Sequence, residues 1–141
     1  MFHTIIIVGN VGREPEMRYT PSGKAVTSFS LASSQNRSGQ NGQQTKETVW
    51  FKVTVWDKQA ETVSQYVHKG SKVLVEGRLS FDPATGGPKV WTRQDGTPGA
   101  SFEVTASTVR FLSSKGEGAG GPGEESGEVS GDAGDEGAIP F

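Results

Sequence analysis

Cysteine is absent from this chain of 141 residues. The protein therefore cannot be a disulfide scaffold or hold zinc through thiolates, and the absence weakly favours a reducing compartment. Long apolar runs are also missing, since the run from Ile5 to Val8 is too short for a signal-peptide core or a membrane span. We therefore expect a soluble, cytoplasmic protein.

Side chains that commonly catalyse reactions are scarce as well. The two histidines, His3 and His68, lie far apart in the sequence and lack the spacing of metal ligands. Glu14 and Glu16 stand two apart in a Pro-containing loop, which favours turn residues over an acid–base pair. We expect no enzymatic activity, no metal and no cofactor.

Basic residues are missing from the last part of the chain. All fourteen Lys and Arg lie at or before Lys115, where nine acids accompany them, so this part has a net charge of +5. Residues 116–141 carry seven acids and are mostly Gly, Glu, Asp, Ser and Ala. Such a segment buries too little apolar surface to offset its ordering entropy. We expect a folded, polyanion-binding domain over residues 1–115 and a disordered acidic tail over residues 116–141, although a solvated surface with a solubilising tail is the alternative.

The stretch from Val49 to Trp56 carries the clearest functional signal. Side chains alternate between the two faces of a strand. One face is apolar and is expected in the core: Val49, Phe51, Val53 and Val55. The other presents the indoles of Trp50 and Trp56 with the ammonium of Lys52, a combination that stacks unpaired bases and attracts their phosphates. Burial of the indoles under a second layer or in a subunit interface is the alternative.

Alternating and β-rich segments predict five strands and one helix. The strands are expected at Thr4 to Val8, Lys24 to Ser34, Thr45 to Trp56, Lys72 to Leu79 and Phe102 to Phe111. The helix is expected from Lys58 to Lys69, with Asp57 as its N-cap and Gly70 as its stop. Five short strands with one helix after the third predict an all-β protein with a five-stranded OB-fold Greek-key barrel. The nucleic-acid face of that barrel lies on strands 2 and 3.

Two connections between these elements bear on binding. Asn36 to Gln44 is a polar, Gly-bearing loop, which is either a flap over the ligand or a plain extension of a hairpin. Lys89 to Arg93 is a short ribbon that places a third tryptophan, Trp91, between cations. The first segment is expected beside the face of Trp50 and Trp56.

Three motifs resemble those of bacterial single-stranded DNA-binding proteins of the homotetrameric type, with one OB-fold per subunit. Val8 to Tyr19 is similar to the family's opening LVGNLGxDPExRY, and Lys69 to Leu79 is similar to its KGSxVxVEGRL segment. Asp135 to Phe141 is similar to its acidic end, which closes in Ile-Pro-Phe. The order of the motifs, with Trp50 and Trp56 at matching spacing, makes the resemblance specific.

The resemblance implies sequence-independent binding and protection of single-stranded DNA in replication, recombination and repair. It also implies a cytoplasmic, nucleoid-associated homotetramer whose base-stacking aromatics are Trp50, Trp56 and Trp91. Partner enzymes would dock on the end of the tail, at Asp135, Glu136, Ile139, Pro140 and Phe141. An OB-fold module that binds RNA and an adaptor domain that binds protein are the alternatives.

Cations near the expected face are candidate phosphate contacts: Lys52, Arg37, Lys46, Lys72, Arg78, Lys89 and Arg93. Arg37 stands where some members of the resembled family carry a further aromatic. A guanidinium can stack on a base and also reach phosphate. In the tail, Phe141 joins a ring and the α-carboxylate in one residue, which a basic pocket can capture.

Overall fold

The structure is a computed structural model that describes residues 2–112. This part contains eight strands: β1 (Ile5–Val11), β2 (Glu16–Tyr19), β3 (Ala25–Ser38), β4 (Gln44–Trp56), β5 (Lys72–Leu79), β6 (Val90–Thr92), β7 (Pro98–Ala100) and β8 (Phe102–Phe111). Its helix, α1 (Asp57–Tyr66), lies between β4 and β5. The predicted acidic tail, with its docking residues Asp135, Glu136, Ile139, Pro140 and Phe141, lies outside the described residues.

Five of the strands close into a barrel. Their order is β1-β5-β8-β4-β3, and β1 returns to β3 through the pairs Asn10 with Ala32 and Val11 with Leu31. The strands β4 and β8 run parallel, whereas the other barrel pairs are antiparallel. The helix follows β4, the third barrel strand in chain order. The predicted five-stranded OB-fold barrel with one helix is therefore confirmed.

Alternating side chains of the barrel strands fill the core. Leu31, Val53, Val55, Val75 and Val104 are fully buried, as period-2 alternation predicts. The buried hydroxyl of Thr27 donates a hydrogen bond of 2.7 Å to the carbonyl of Ala60 on α1, which fixes the helix on one end of the barrel.

The prediction that one face of β4 is buried in the core is correct only for the second half of the strand, at Val53 and Val55. Val49 is exposed, and Phe51 is half-buried against Phe102, with ring centroids 5.8 Å apart. The reason is that β4 begins at Gln44 but pairs with β8 only from Phe51 onwards. Its first residues therefore extend beyond the barrel, where no core side chains cover them.

The helix differs from its prediction at both ends. Asp57 is its first residue, with a φ of 59°, and the capping position falls on Trp56 without a side-chain hydrogen bond. The prediction of Asp57 as N-cap was therefore wrong. At the other end, Val67 is extended and fully buried, so the chain leaves the helix before Lys69 to fill the core. Gly70 lies in the turn that follows, with a φ of 90°.

Four of the nine residues expected as a loop between β3 and β4, residues 36–38 and 44, belong to the two strands. Their antiparallel ladder runs from Val26 with Trp56 to Ser38 with Gln44, which leaves residues 39–43 as the turn. A hydroxyl contact of 2.8 Å joins Ser34 to Thr48 across the two strands. The expected loop is therefore the far end of the β3–β4 hairpin, with its turn at residues 39–43.

Gly77 marks the bulge at which β5 changes register against β8. A Cβ at this position would overlap the backbone oxygen of Thr105 and lie 2.9 Å from the Cα of Ala106. We expect Gly77→Ala to lower the free energy of unfolding by about 1–3 kcal/mol, because backbone atoms have to move. Urea unfolding measures this change.

Gly87→Ala is the matched control for that measurement. Its new Cβ would meet only the Thr85 hydroxyl oxygen, at 3.6 Å, so we expect a change within about 0.5 kcal/mol. Equal stability of the Gly77→Ala variant and the wild type would contradict the close packing of β5 on β8.

Candidate nucleic-acid interface

The outward face of the β3–β4 hairpin carries two of the three tryptophans. Trp50 is 55% exposed and Trp56 is 41% exposed, and Lys52 projects from the same face between them. Six residues separate the two indoles along β4, so at about 3.4 Å per residue their Cα atoms lie about 20 Å apart. The predicted row of indole, ammonium and indole thus lies on an accessible surface.

Small residues of β3 surround these indoles. Ala32 pairs with Trp50, Ser30 with Lys52, and Ser28 with Thr54. Directly opposed residues of two strands project on the same side of the sheet. The face therefore consists of two large rings above a low floor of methyl and hydroxyl groups, to which a flat ligand has access.

The third tryptophan, Trp91, lies near this face, and the Glu103 carboxylate lies between the two. Trp91, in the β6–β7 ribbon, is 44% exposed. Glu103 of β8 links the ribbon to the hairpin, since its oxygens lie 3.7 Å from the Lys89 ammonium and 3.9 Å from that of Lys52. The structure thereby places Trp91 next to the acid that pairs with Lys52.

Acidic side chains lie beside Lys52, Lys89 and Arg37, which are candidate phosphate contacts. Lys52 and Lys89 share Glu103, and Arg37 lies 3.5 Å from Glu47 across the hairpin. The three cations are more than half exposed, and ion pairs at such positions contribute about 0–1 kcal/mol. A phosphate can therefore replace Glu47 at little cost, whereas Glu103 is only 20% exposed and its pairs with the two lysines are less screened by solvent.

The other candidate cations divide between the ribbon, the hairpin and β5. Arg93 donates to the carbonyl of Pro98 within the ribbon, and Lys46 pairs with Asn36 in the hairpin extension. Lys72 and Arg78 lie on β5, which β8 separates from β4. The Arg78 guanidinium lies 5.8 Å from the ring centre of Phe2. These two residues are therefore not on the hairpin face itself.

Arg13 was not among the sequence candidates. It lines a cleft of about 270 Å³ that contains Lys52, Ser28 and Ser30 and also the carboxylates of Glu14 and Glu16. The N–H of the preceding Gly12 donates to the Ser30 carbonyl at 2.9 Å, which holds the β1–β2 connection against β3. Only this long-range pairing brings Arg13 beside Lys52, and no local sequence signal indicates it.

One carboxyl group in the ribbon has a shifted pKa. Asp95 accepts hydrogen bonds from the hydroxyl of Thr97 at 2.6 Å and from its N–H at 2.9 Å. Because these bonds favour the ionised form, they hold the pKa of Asp95 below its usual value. The Asp95 carboxylate is therefore ionised at neutral pH and keeps its two hydrogen bonds to Thr97 in the turn between β6 and β7.

Residues 2–112 contain neither a metal-binding cluster nor a membrane-spanning helix. No cluster of three or more His, Asp or Glu side chains in this part could hold a metal ion. Its helix is too short and too polar to cross a membrane.

Comparison with known sequences gives consistent matches. The model of the single-strand binding protein family matches residues 2–112. A single-stranded DNA-binding protein of Helicobacter hepaticus is 37% identical over 115 residues, which cover 82% of this chain and 64% of that protein. One from Wolinella succinogenes is 37% identical over 121 residues, which cover 86% of this chain and 70% of that protein. The match to the Helicobacter protein thus spans under two thirds of its length.

Solved structures share the fold. The single-stranded DNA-binding protein of Plasmodium falciparum, in complex with single-stranded DNA, superposes with a TM-score of 0.65 at 25% identity, covering 80% of this chain and 97% of that one. A small single-stranded DNA-binding protein from Streptomyces coelicolor gives 0.64 at 24% identity, covering 77% and 93%. Because the family model matches the whole of the described part, the chain belongs to the single-strand binding protein family.

Proposed function

We propose that this protein binds and protects single-stranded DNA without regard to sequence, with Trp50, Trp56 and Trp91 as stacking platforms. The observation that carries the proposal is the exposure of both hairpin indoles on one face. Every base has a π-face, and stacking on an aromatic side chain contributes about 1–3 kcal/mol per base. Duplex DNA hides these faces, so the same surface favours unpaired strands.

The cations beside the indoles are proposed to contact phosphates. Lys52 and Lys46 project from the hairpin face, and Lys89 and Arg93 flank β6 of the ribbon that Glu103 links to this face. Arg37 pairs with Thr45 and projects from the opposite side of the hairpin, where a strand that wraps around the hairpin would reach it. Arg13 joins this set because it shares a cleft with Lys52. Lys72 and Arg78 on β5 would be reached only by a strand that leaves the hairpin and continues around the barrel.

A fluorescence titration tests the proposal. Poly(dT) should quench the tryptophan emission and bind far more tightly than duplex DNA, because only unpaired bases can stack on the indoles. Absent quenching, or equal affinity for duplex, would refute the stacking mechanism. Poly(U) in competition separates DNA binding from RNA binding. The protein-adaptor alternative instead predicts that replacing Trp50 and Trp56 with alanine leaves the affinity for single strands unchanged.

We also propose that the protein is a homotetramer, as the family resemblance implies. Ile6 and Val8 of β1 are exposed apolar side chains, and Val8 pairs with Leu74 of β5. A surface of this kind is suited to burial between subunits. Four linked binding faces would raise the effective concentration along one DNA strand. Light scattering that gives the mass of a monomer would overturn this part of the proposal.

The acidic end of the tail is proposed to recruit enzymes of replication, recombination and repair. Its support is the sequence of Asp135, Glu136, Ile139, Pro140 and Phe141, in which an apolar end with a terminal carboxylate follows an acidic stretch. Because the proposed ligand is DNA, we place the protein in the cytoplasm with the nucleoid. Its role is binding and recruitment rather than catalysis.

Removing residues 138–141 tests this recruitment. We expect the shortened chain to bind a purified partner enzyme at least about tenfold more weakly, a loss of about 1.4 kcal/mol or more, because the Phe141 ring and the apolar side chains of Ile139 and Pro140 are gone. Calorimetry measures the affinity, and the oligo(dT) affinity of the shortened chain should be unchanged or higher. Partner binding as tight as that of the full chain would contradict the docking role.

A further inference from the structure

The indole of Trp50 rests directly on a glycine from another part of the chain. A Cβ placed on Gly12 would lie 2.5 Å from Cζ3 and 2.9 Å from Cη2 of Trp50. No side chain fits in that space, so the six-membered ring contacts the backbone itself. Gly12 is therefore the surface on which this indole lies.

The backbone around Gly12 is held on two sides. Its N–H donates to the Ser30 carbonyl, and the N–H of the preceding Val11 donates to the Ser71 carbonyl, both at 2.9 Å. The carboxylate of Glu14 accepts a hydrogen bond from the N–H of Lys69 at 3.1 Å. The backbone at Gly12, which we call the seat of Trp50, is thus hydrogen-bonded both to β3 and to the segment that follows the helix.

The same arrangement recurs in a separate sheet. Gly99 of β7 pairs directly with Trp91 of β6, and a Cβ on Gly99 would lie 2.9 Å from both Cε2 and Nε1 of that indole. An aromatic side chain that covers a cross-strand glycine is a known way to stabilise short ribbons. Two of the three tryptophans therefore rest on glycines.

We propose that Gly12 and Gly99 are positioning residues for single-stranded DNA binding, because they seat the indoles of Trp50 and Trp91 in the orientation that accepts a base. This inference rests on the proposed function. A rigid seat lets each ring stack without first being ordered, which lowers the entropy lost on binding. Because the clashing atoms belong to exposed rings, an added methyl would displace the ring and leave the backbone in place.

Gly12→Ala is expected to weaken oligo(dT) binding about 3- to 10-fold, part of the loss expected when a stacked base is removed altogether. With Trp56→Phe and Trp91→Phe in the background, Trp50 is the only tryptophan and reports on its own surroundings. In that background, Gly12→Ala should make Trp50 more accessible to acrylamide quenching. The melting temperature should stay close to that of the parent.

A double-mutant cycle distinguishes positioning from a general structural effect. In a Trp50→Ala background, Gly12→Ala should no longer change the affinity, because no ring remains to be displaced. Gly87→Ala, whose added methyl meets no ring, is the control and should leave the affinity and quenching unchanged. An equal loss of affinity with and without Trp50 would overturn the proposal, as would unchanged quenching.

Gly99→Ala provides a second test in case the Gly12 variant fails to fold, since the ribbon is separate from the barrel sheet. Its reporter is Trp91, with Trp50→Phe and Trp56→Phe in the background. If Trp50→Ala alone leaves oligo(dT) affinity unchanged, stacking at Trp50 fails as part of the proposed function. The acrylamide measurement then still decides whether Gly12 seats the ring.

Discussion

Replacing Trp50 and Trp56 together with alanine is expected to weaken the binding of an oligo(dT) by about 30- to 10⁴-fold. Each indole is proposed to stack one base, at about 1–3 kcal/mol per base, and each 1.4 kcal/mol corresponds to a factor of ten. Anisotropy of a labelled oligonucleotide measures the affinity without relying on the lost tryptophans. The result decides whether the hairpin face is the binding surface.

Two controls accompany this double variant. The combined Trp50→Phe and Trp56→Phe variant retains two π-faces and should keep most of the affinity. Tyr66→Ala removes an aromatic that is also exposed but lies on the helix, and should leave affinity unchanged. Affinity of the alanine variant equal to that of the wild type would favour the protein-adaptor alternative.

Raising the salt concentration from 50 to 200 mM is expected to weaken oligo(dT) binding about a hundredfold. Each neutralised phosphate of a single strand contributes about 0.7 to the slope of log affinity against log salt. About five phosphate contacts from the cations around the hairpin would give a slope near −3.5. Titrations at several salt concentrations measure this slope, and a flat dependence would contradict phosphate contacts.

Charge variants show which cations contribute to that slope. Lys52→Ala with Lys89→Ala should reduce its size by about 1.4, because two contacts are lost. Lys58→Ala, on the exposed side of the helix, is the matched control and should leave the slope unchanged. If the variant that lacks both Lys52 and Lys89 has the same slope as the wild type, neither lysine contacts a phosphate.

The barrel was predictable because its strands carry strong period-2 signals. In β4, alternation correctly separated the buried Val53 and Val55 from the exposed Trp50 and Trp56. Fully buried positions and β-branched residues determine which face turns inward, and the outward face follows from geometry. The orientation of the two indoles is therefore a local property of one strand.

Elements that depend on distant pairing were not predictable in the same way. β2 has only four residues, Glu16–Tyr19, and becomes a strand because β3 provides its hydrogen-bond partners. The polar end of β3 near Ser38 likewise continues as strand because β4 pairs with it. At Val67 the buried position in the core ends the helix, although the sequence pattern continues to Lys69.

The same limit applies to the candidate site. The three tryptophans and the flanking lysines are visible in the sequence, because each lies in a recognisable strand or ribbon. Glu103 meets Lys52 only through the parallel pairing of β8 with β4, and Gly12 meets Trp50 only across the closed barrel. Such contacts depend on register and closure, which short-range patterns do not encode.

A crystal structure of the full chain with a bound oligo(dT) tests the central claim most directly. We expect bases stacked on the rings of Trp50 and Trp56, with phosphates near Lys52. The same structure would contradict the account if another subunit covered those two rings, or if the DNA lay on a different surface of the barrel.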